Sequence, residues 1–83
     1  MQKQTSDYNA LANKIFVIVA EHCYFPDSVV QTQCKRINKT PATLSTSDLA
    51  VLAARIGNSV AMFTNPEKGL LVEESLKHLA LGV

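Results

Sequence analysis

The most informative stretch of the chain is Ile15-Phe16-Val17-Ile18-Val19-Ala20, an unbroken run of six apolar residues. At about 100° per residue, a helix formed by this run would carry apolar side chains on every face. A strand covered on both sides would also suit such residues. The flanking apolar residues favour the helix, because they follow i, i+3, i+4 spacing through Tyr8, Leu11, Ala12, Ile15, Phe16, Val19 and Cys23. We therefore predict a helix over residues 6–23, with Ser6 or Asp7 as its cap.

Two further helices are predicted from the residues that start them. Pro26 suits the first turn of a second helix over residues 27–38, where a missing backbone N–H costs nothing. The sequence Ser45-Thr46-Ser47-Asp48 matches a capping box and predicts the start of a third helix over residues 46–63. Together with the first, these helices account for most of the chain before residue 64.

Another proline, Pro66, indicates the start of the last helix, and this helix completes the predicted architecture. Asn65-Pro66 combines a good N-cap with a good first helical residue, and it predicts a fourth helix over residues 66–81. Gly57, within the third helix, indicates either a close helix crossing or a division of that helix into two. The predicted fold is all-α: a compact four-helix bundle with short connections in one domain, with residues 1–5 as a disordered tail.

The composition predicts an interface. Of the 83 residues, 47 % are hydrophobic and only 18 % are charged. A chain of this length buries only about 60 % of its unfolded surface, so part of the apolar surplus should lie against another molecule. We therefore expect a non-enzymatic regulatory module for protein interaction or self-association, which binds itself as a homodimer or binds another protein. The interface candidates are Phe16, Val17, Ile18, Leu70, Val72 and Leu81.

An alternative prediction is a DNA-binding regulator. Its nucleic-acid candidates are the basic residues Lys35, Arg36 and Lys39, although their place at the end of the second helix also opposes the helix dipole. Residues 52–63 resemble a degenerate helix-turn-helix, with Leu52-Ala53, Ile56-Gly57 and Phe63 in the matching positions. A net charge of +1 disfavours nucleic acid as the partner, because phosphate neutralisation supplies most of such affinity.

A further alternative comes from Asp27-Ser28-Val29 at the start of the second helix. This order, in a short four-helix chain, resembles the attachment site of acyl and peptidyl carrier proteins. The resemblance implies a phosphopantetheine arm on Ser28. The sequence departs from that family in its second helix, which is basic through Lys35 and Arg36 where carriers are acidic.

Other chemistry is not predicted. The soft metal ligands are His22, Cys23, Cys34 and His78, and they lack the paired close spacings of zinc sites. No nucleophile stands near a base and an orienting carboxylate, so we expect no catalytic residue, no metal and no cofactor. The two cysteines are interpreted as free buried thiols. With no signal peptide and an apolar run too short to span a bilayer, we expect a cytoplasmic protein without a membrane partner.

Overall fold

The structure, a computed structural model, describes residues 8–81, and these fold into a bundle of four α-helices. In chain order the helices are α1 (Ala10–Ala20), α2 (Pro26–Arg36), α3 (Thr46–Phe63) and α4 (Pro66–Ala80). The described residues form no strand. The predicted all-α four-helix bundle is confirmed, and the bounds of α3 are those predicted from the sequence.

The starts of α3 and α4 are set by the capping residues that the sequence indicated. The Ser45 backbone N–H donates to the Asp48 carboxylate at 3.0 Å, and the Ser45 hydroxyl donates to it at 3.1 Å. Lys39 lies 3.5 Å from the same carboxylate. These contacts, led by the backbone hydrogen bond, hold the pKa of Asp48 below its usual value. At α4, the Asn65 side chain accepts from the Lys68 backbone N–H at 2.9 Å.

The predicted bounds of α1 are wrong at both ends. The helix begins at Ala10, not Ser6, because Asn9 is its extended N-cap and accepts from the Ala12 N–H at 2.8 Å. Asn9 is held in the extended conformation by a hydrogen bond that its backbone N–H donates to the Pro41 carbonyl at 3.0 Å. The helix ends at Ala20 instead of Cys23. The proposed caps Ser6 and Asp7 and the predicted tail at 1–5 lie outside the described residues.

The core lies between the four helices and leaves one side of the apolar run uncovered. Within that run Ile15 and Val19 are fully buried, whereas Val17 is 57 % exposed. The run is therefore buried on one side and does not sit at the centre of the bundle. The other large side chains that are fully buried are Val30, Cys34, Leu49, Leu52, Ile56, Val60, Val72 and Leu76.

Helices α3 and α4 cross very closely at two glycines. A Cβ atom added to Gly57 would lie 2.9 Å from the Gly69 carbonyl oxygen, and one added to Gly69 would lie 2.5 Å from the Gly57 carbonyl oxygen. Gly57 therefore marks a close crossing, and α3 continues through it without a turn. The helix-turn-helix predicted over residues 52–63 is wrong, because that motif needs two helices where the chain forms one.

Candidate binding surfaces

The first candidate surface is an open apolar groove of about 410 Å³ between α1 and α4. It is lined by Asn13, Lys14, Val17, Ile18 and Leu79, and we call it the α1–α4 groove. Val17 and Ile18 belong to the run that the sequence singled out, and Leu79 approaches them from α4. The α1–α4 groove thus presents the side of the apolar run that the core leaves uncovered.

Two charged residues lie on the same face of α1 as this groove. Lys14 and Glu21 are seven residues apart, which is about two helical turns or roughly 10 Å along the axis. Glu21 is the C-cap of α1 and keeps helical backbone angles, so the face continues to it. Both side chains are exposed, and neither takes part in an ion pair among residues 8–81. Val17 and Ile18 lie midway between them.

The remaining interface candidates are placed differently from one another. Phe16 is partly buried and packs edge-on against Tyr8, with ring centroids 5.6 Å apart. Leu81 is 77 % exposed at the end of α4. Leu70 is exposed too, but it precedes Leu79 by nine residues and so faces about 180° away from the α1–α4 groove.

The prediction that Val72 lies in the interface is wrong. Its side chain is fully buried in the core together with Leu76. The tight packing of Gly69 against α3 fixes the rotation of α4, and residues at i+3 and i+7 from that glycine therefore point inward. A residue in this position cannot contact a second molecule while the chain is folded.

The second candidate surface is a groove of about 390 Å³ between α2 and α3, which we call the α2–α3 groove. The two helices run antiparallel here, since Phe25 meets Phe63 at one end and Gln33 meets Ser59 nearer the middle. Gln33 is buried and donates to the Ser59 hydroxyl at 2.8 Å. The full lining is Ser28, Val29, Thr32, Gln33, Arg36, Arg55, Asn58, Ser59, Met62 and Phe63.

The ends of the α2–α3 groove differ in chemistry. At one end Phe63 is 61 % exposed and Met62 85 % exposed, and Phe25 packs against Phe63 with ring centroids 6.2 Å apart. At the other end lie Arg36 and Arg55, both exposed. The groove therefore has an aromatic end and a cationic end.

The structure separates the three predicted nucleic-acid candidates. Arg36 lines the α2–α3 groove with Arg55, whereas Lys35 is exposed beside it and does not line the groove. Lys39 lies in the loop after α2, where it forms an ion pair with Asp48. Sequence reasoning missed Arg55 as a site residue. The signal that could have found it is the spacing of Arg55, Asn58, Ser59, Met62 and Phe63, which recurs at three and four residues along α3.

Ser28, the residue of the carrier alternative, lies exposed in the first turn of α2 and also lines the α2–α3 groove. The preceding Asp27 is engaged in the fold. Its carboxylate accepts from the Tyr8 hydroxyl at 2.6 Å and from the Gln31 side chain at 3.0 Å. Attachment of a phosphopantetheine arm to Ser28 stays a prediction.

The cysteines are both free and both buried. Burial, reinforced by the negative charge of Asp48, raises the pKa of the Cys34 thiol to about 11. A thiol with so high a pKa is protonated at neutral pH and is a poor nucleophile. Cys34 is thus a packing residue.

Comparison of the chain with protein-family models, with curated proteins and with solved structures gives no match. Over residues 8–81, no helix is both long enough and apolar enough to cross a membrane. The same part of the chain holds no group of three or more His, Cys, Asp or Glu side chains that could bind a metal ion.

Proposed function

We propose that the chain is a non-enzymatic protein-interaction module that forms a homodimer through α1 and the adjoining part of α4. The observation that carries the proposal is the α1–α4 groove, where Val17 and Ile18 present apolar surface beside Leu79. Apolar surface of this kind gains roughly 25 cal/mol per Å² when it is removed from water. A second copy of the chain offers the same apolar surface in return.

The order of residues on α1 supports pairing with a second copy. In a two-fold symmetric contact, every pair of contacts occurs twice. If residue i of one chain faces residue j of the other, then residue j of the first chain faces residue i of the second. If two α1 helices pack antiparallel with the axis between Val17 and Ile18, position 14 of one helix stands opposite position 21 of the other. Those positions carry Lys14 and Glu21, so the arrangement forms two ion pairs of opposite charge.

The apolar and charged residues have different roles in this dimer. Exposed ion pairs contribute only about 0.2–1 kcal/mol each, so most of the affinity comes from burying Val17, Ile18 and Leu79. The ion pairs mainly select the antiparallel orientation, because a parallel contact would place like charges together. The dimer therefore has a defined geometry as well as an apolar centre.

The test is the mass of the chain in solution, measured by light scattering after size exclusion at micromolar concentration. We expect the wild-type protein to have twice the 9.1 kDa mass of one chain. Val17→Lys should yield a folded monomer, because it places a charge next to the two-fold axis, against the apolar Ile18 of the second copy. The matched control is Val51→Lys on α3, a valine with similar exposure (50 %, against 57 % for Val17) that lies outside the α1–α4 groove.

Two results would overturn the proposal. One is a wild-type chain that is monomeric at these concentrations. The other is equal dissociation by Val17→Lys and Val51→Lys, which would show that the contact does not use the α1–α4 groove. Circular dichroism of each variant separates dissociation from unfolding.

A further inference from the structure

We propose that the α2–α3 groove is a second binding site, which takes an acidic amphipathic helix from a partner protein. The site is separate from the α1–α4 groove and shares no lining residue with it. Its proposed occupant combines one large apolar side chain with one or more carboxylates on the same helical face. Each part of that description follows from one part of the groove.

The aromatic end selects the apolar side chain. Phe63 and Met62 are exposed there, and Phe25 is more than half exposed against the Phe63 ring. Aromatic residues and methionine are enriched in protein interfaces, where they supply large contact area to an inserted anchor. A leucine or an aromatic residue of the partner would cover this end.

The cationic end selects the carboxylate. Arg36 and Arg55 line the groove, and no Asp or Glu is among the lining residues. Neither arginine takes part in an ion pair within the described chain, where Lys39 and Lys77 make the pairs with carboxylates. Arginine binds carboxylates in a bidentate fork, so an acidic partner would supply the charge that the groove lacks.

A helix suits the groove better than an extended peptide. The walls are two antiparallel helices whose backbone groups are bonded within the helices, so there is no strand edge to which an extended peptide could add. Arg55 and Phe63 are eight residues apart, which is about 12 Å along α3. A bound helix would therefore carry its anchor and its carboxylate about two turns apart.

Duplex DNA suits the groove less well. A phosphate backbone would engage Arg36 and Arg55 but would leave the exposed Phe63 and Met62 without a contact. The net charge of +1 also gives little general attraction for a polyanion. Binding of duplex DNA in this groove would therefore contradict the proposal.

The test uses a phage-displayed library of helical peptides about five turns long, with one face randomised, selected against the full chain. We expect the selected peptides to share a large apolar residue and an acidic residue about two turns apart. A selected peptide is then synthesised, and its affinity is measured by fluorescence polarisation. Arg55→Glu and Phe63→Ala should each weaken binding about tenfold or more.

Matched controls separate the groove from general charge and apolarity. Lys35→Glu makes the same change of charge beside Arg36 but outside the groove, and Leu71→Ala removes an exposed apolar side chain from α4. We expect both to retain wild-type affinity within about threefold. A peptide with its acids changed to lysine should bind Arg55→Glu better than it binds the wild type.

Three results would overturn the proposal. The first is a selection that enriches no peptide or enriches peptides without acidic residues. The second is a selected peptide that binds Arg55→Glu and the wild type equally. The third is salt-sensitive binding of duplex DNA that depends on Arg36 and Arg55 and excludes the peptide. Because Arg55 does not line the α1–α4 groove, Arg55→Glu should leave the mass of the chain in solution unchanged, whichever result is found.

Discussion

Gly57 of α3 and Gly69 of α4 pass so close to each other that neither position has room for a side chain. A Cβ atom on Gly69 would lie 2.5 Å from the Gly57 carbonyl oxygen and 2.6 Å from the Ala61 Cβ. The first of these neighbours is backbone, which cannot rotate away as a flexible side chain can. This crossing fixes the rotation of α4, and with it the residues of α4 that face the core and those that face outward.

Gly69→Ala should therefore destabilise the protein. On an open helix, alanine would stabilise by about 1 kcal/mol relative to glycine. Here the methyl group forces α3 and α4 apart, and we expect a net loss of about 1–3 kcal/mol in the free energy of unfolding. Urea unfolding measures the change, with Glu74→Ala on the exposed side of α4 as the control. A Gly69→Ala variant as stable as the wild type would show that the helices do not meet at this point.

Tyr8→Phe should cost stability because it removes a bond between the start of α1 and the start of α2. The Tyr8 hydroxyl donates to the Asp27 carboxylate at 2.6 Å, and Tyr8 is buried. Because this hydrogen bond is made to a charged carboxylate, we expect its removal to lower the free energy of unfolding by about 1–2 kcal/mol. Tyr24→Phe is the matched control, since Tyr24 is almost fully exposed and its change should stay within about 0.5 kcal/mol. Equal effects of the two substitutions would contradict the role given to Tyr8.

The stability of the chain should fall at alkaline pH. The pKa of the Cys34 thiol rises from 9.0 to about 11 in the folded chain, chiefly through burial. Between these values the folded state keeps a proton that the unfolded state has released, so the free energy of unfolding decreases as the pH rises. Burial and the bond to Asp27 also raise the pKa of Tyr8, which adds to the loss above its ordinary value of 10.0.

Urea unfolding of the wild type and of Cys34→Ala, measured at intervals from pH 8 to pH 11, tests this dependence. At pH 8 the variant should be less stable, because a fully buried side chain has lost packing contacts. Above pH 9 the stability of the wild type should fall more steeply than that of the variant. Two parallel curves would show that the thiol at position 34 does not titrate as described.

The helix starts that could be predicted from the sequence are those set by local contacts. Ser45 with Asp48, and Asn65 before Pro66, act within one turn, so neighbouring residues suffice to recognise them. The start of α1 is different. Asn9 donates from its side chain to the Leu44 carbonyl at 2.9 Å, a contact between positions 35 residues apart, and no local pattern indicates it.

The residues of the two grooves, like the helix starts, could be predicted only where a local pattern in the sequence indicates them. Val17 and Ile18 were found because one apolar run contains them, and the structure places both in the α1–α4 groove. Val72 was assigned wrongly, because α4 carries apolar residues on a broad face and only the contact at Gly69 decides which of them point inward. Arg55 was missed, because it and Arg36 line one groove only as a result of the packing of α2 on α3.

The pairing of two α1 helices is tested most directly by reversing charges at Lys14 and Glu21, both of which are exposed. In the antiparallel dimer, Lys14→Glu or Glu21→Lys alone replaces two ion pairs by two like-charge contacts. We expect each to raise the dissociation constant of the dimer about tenfold, as measured by sedimentation equilibrium at low salt. The double variant restores opposite charges across the axis and should return the dissociation constant close to that of the wild type. A double variant that dissociates as readily as the single variants, or a wild-type chain that sediments as a monomer, would contradict the proposed dimer.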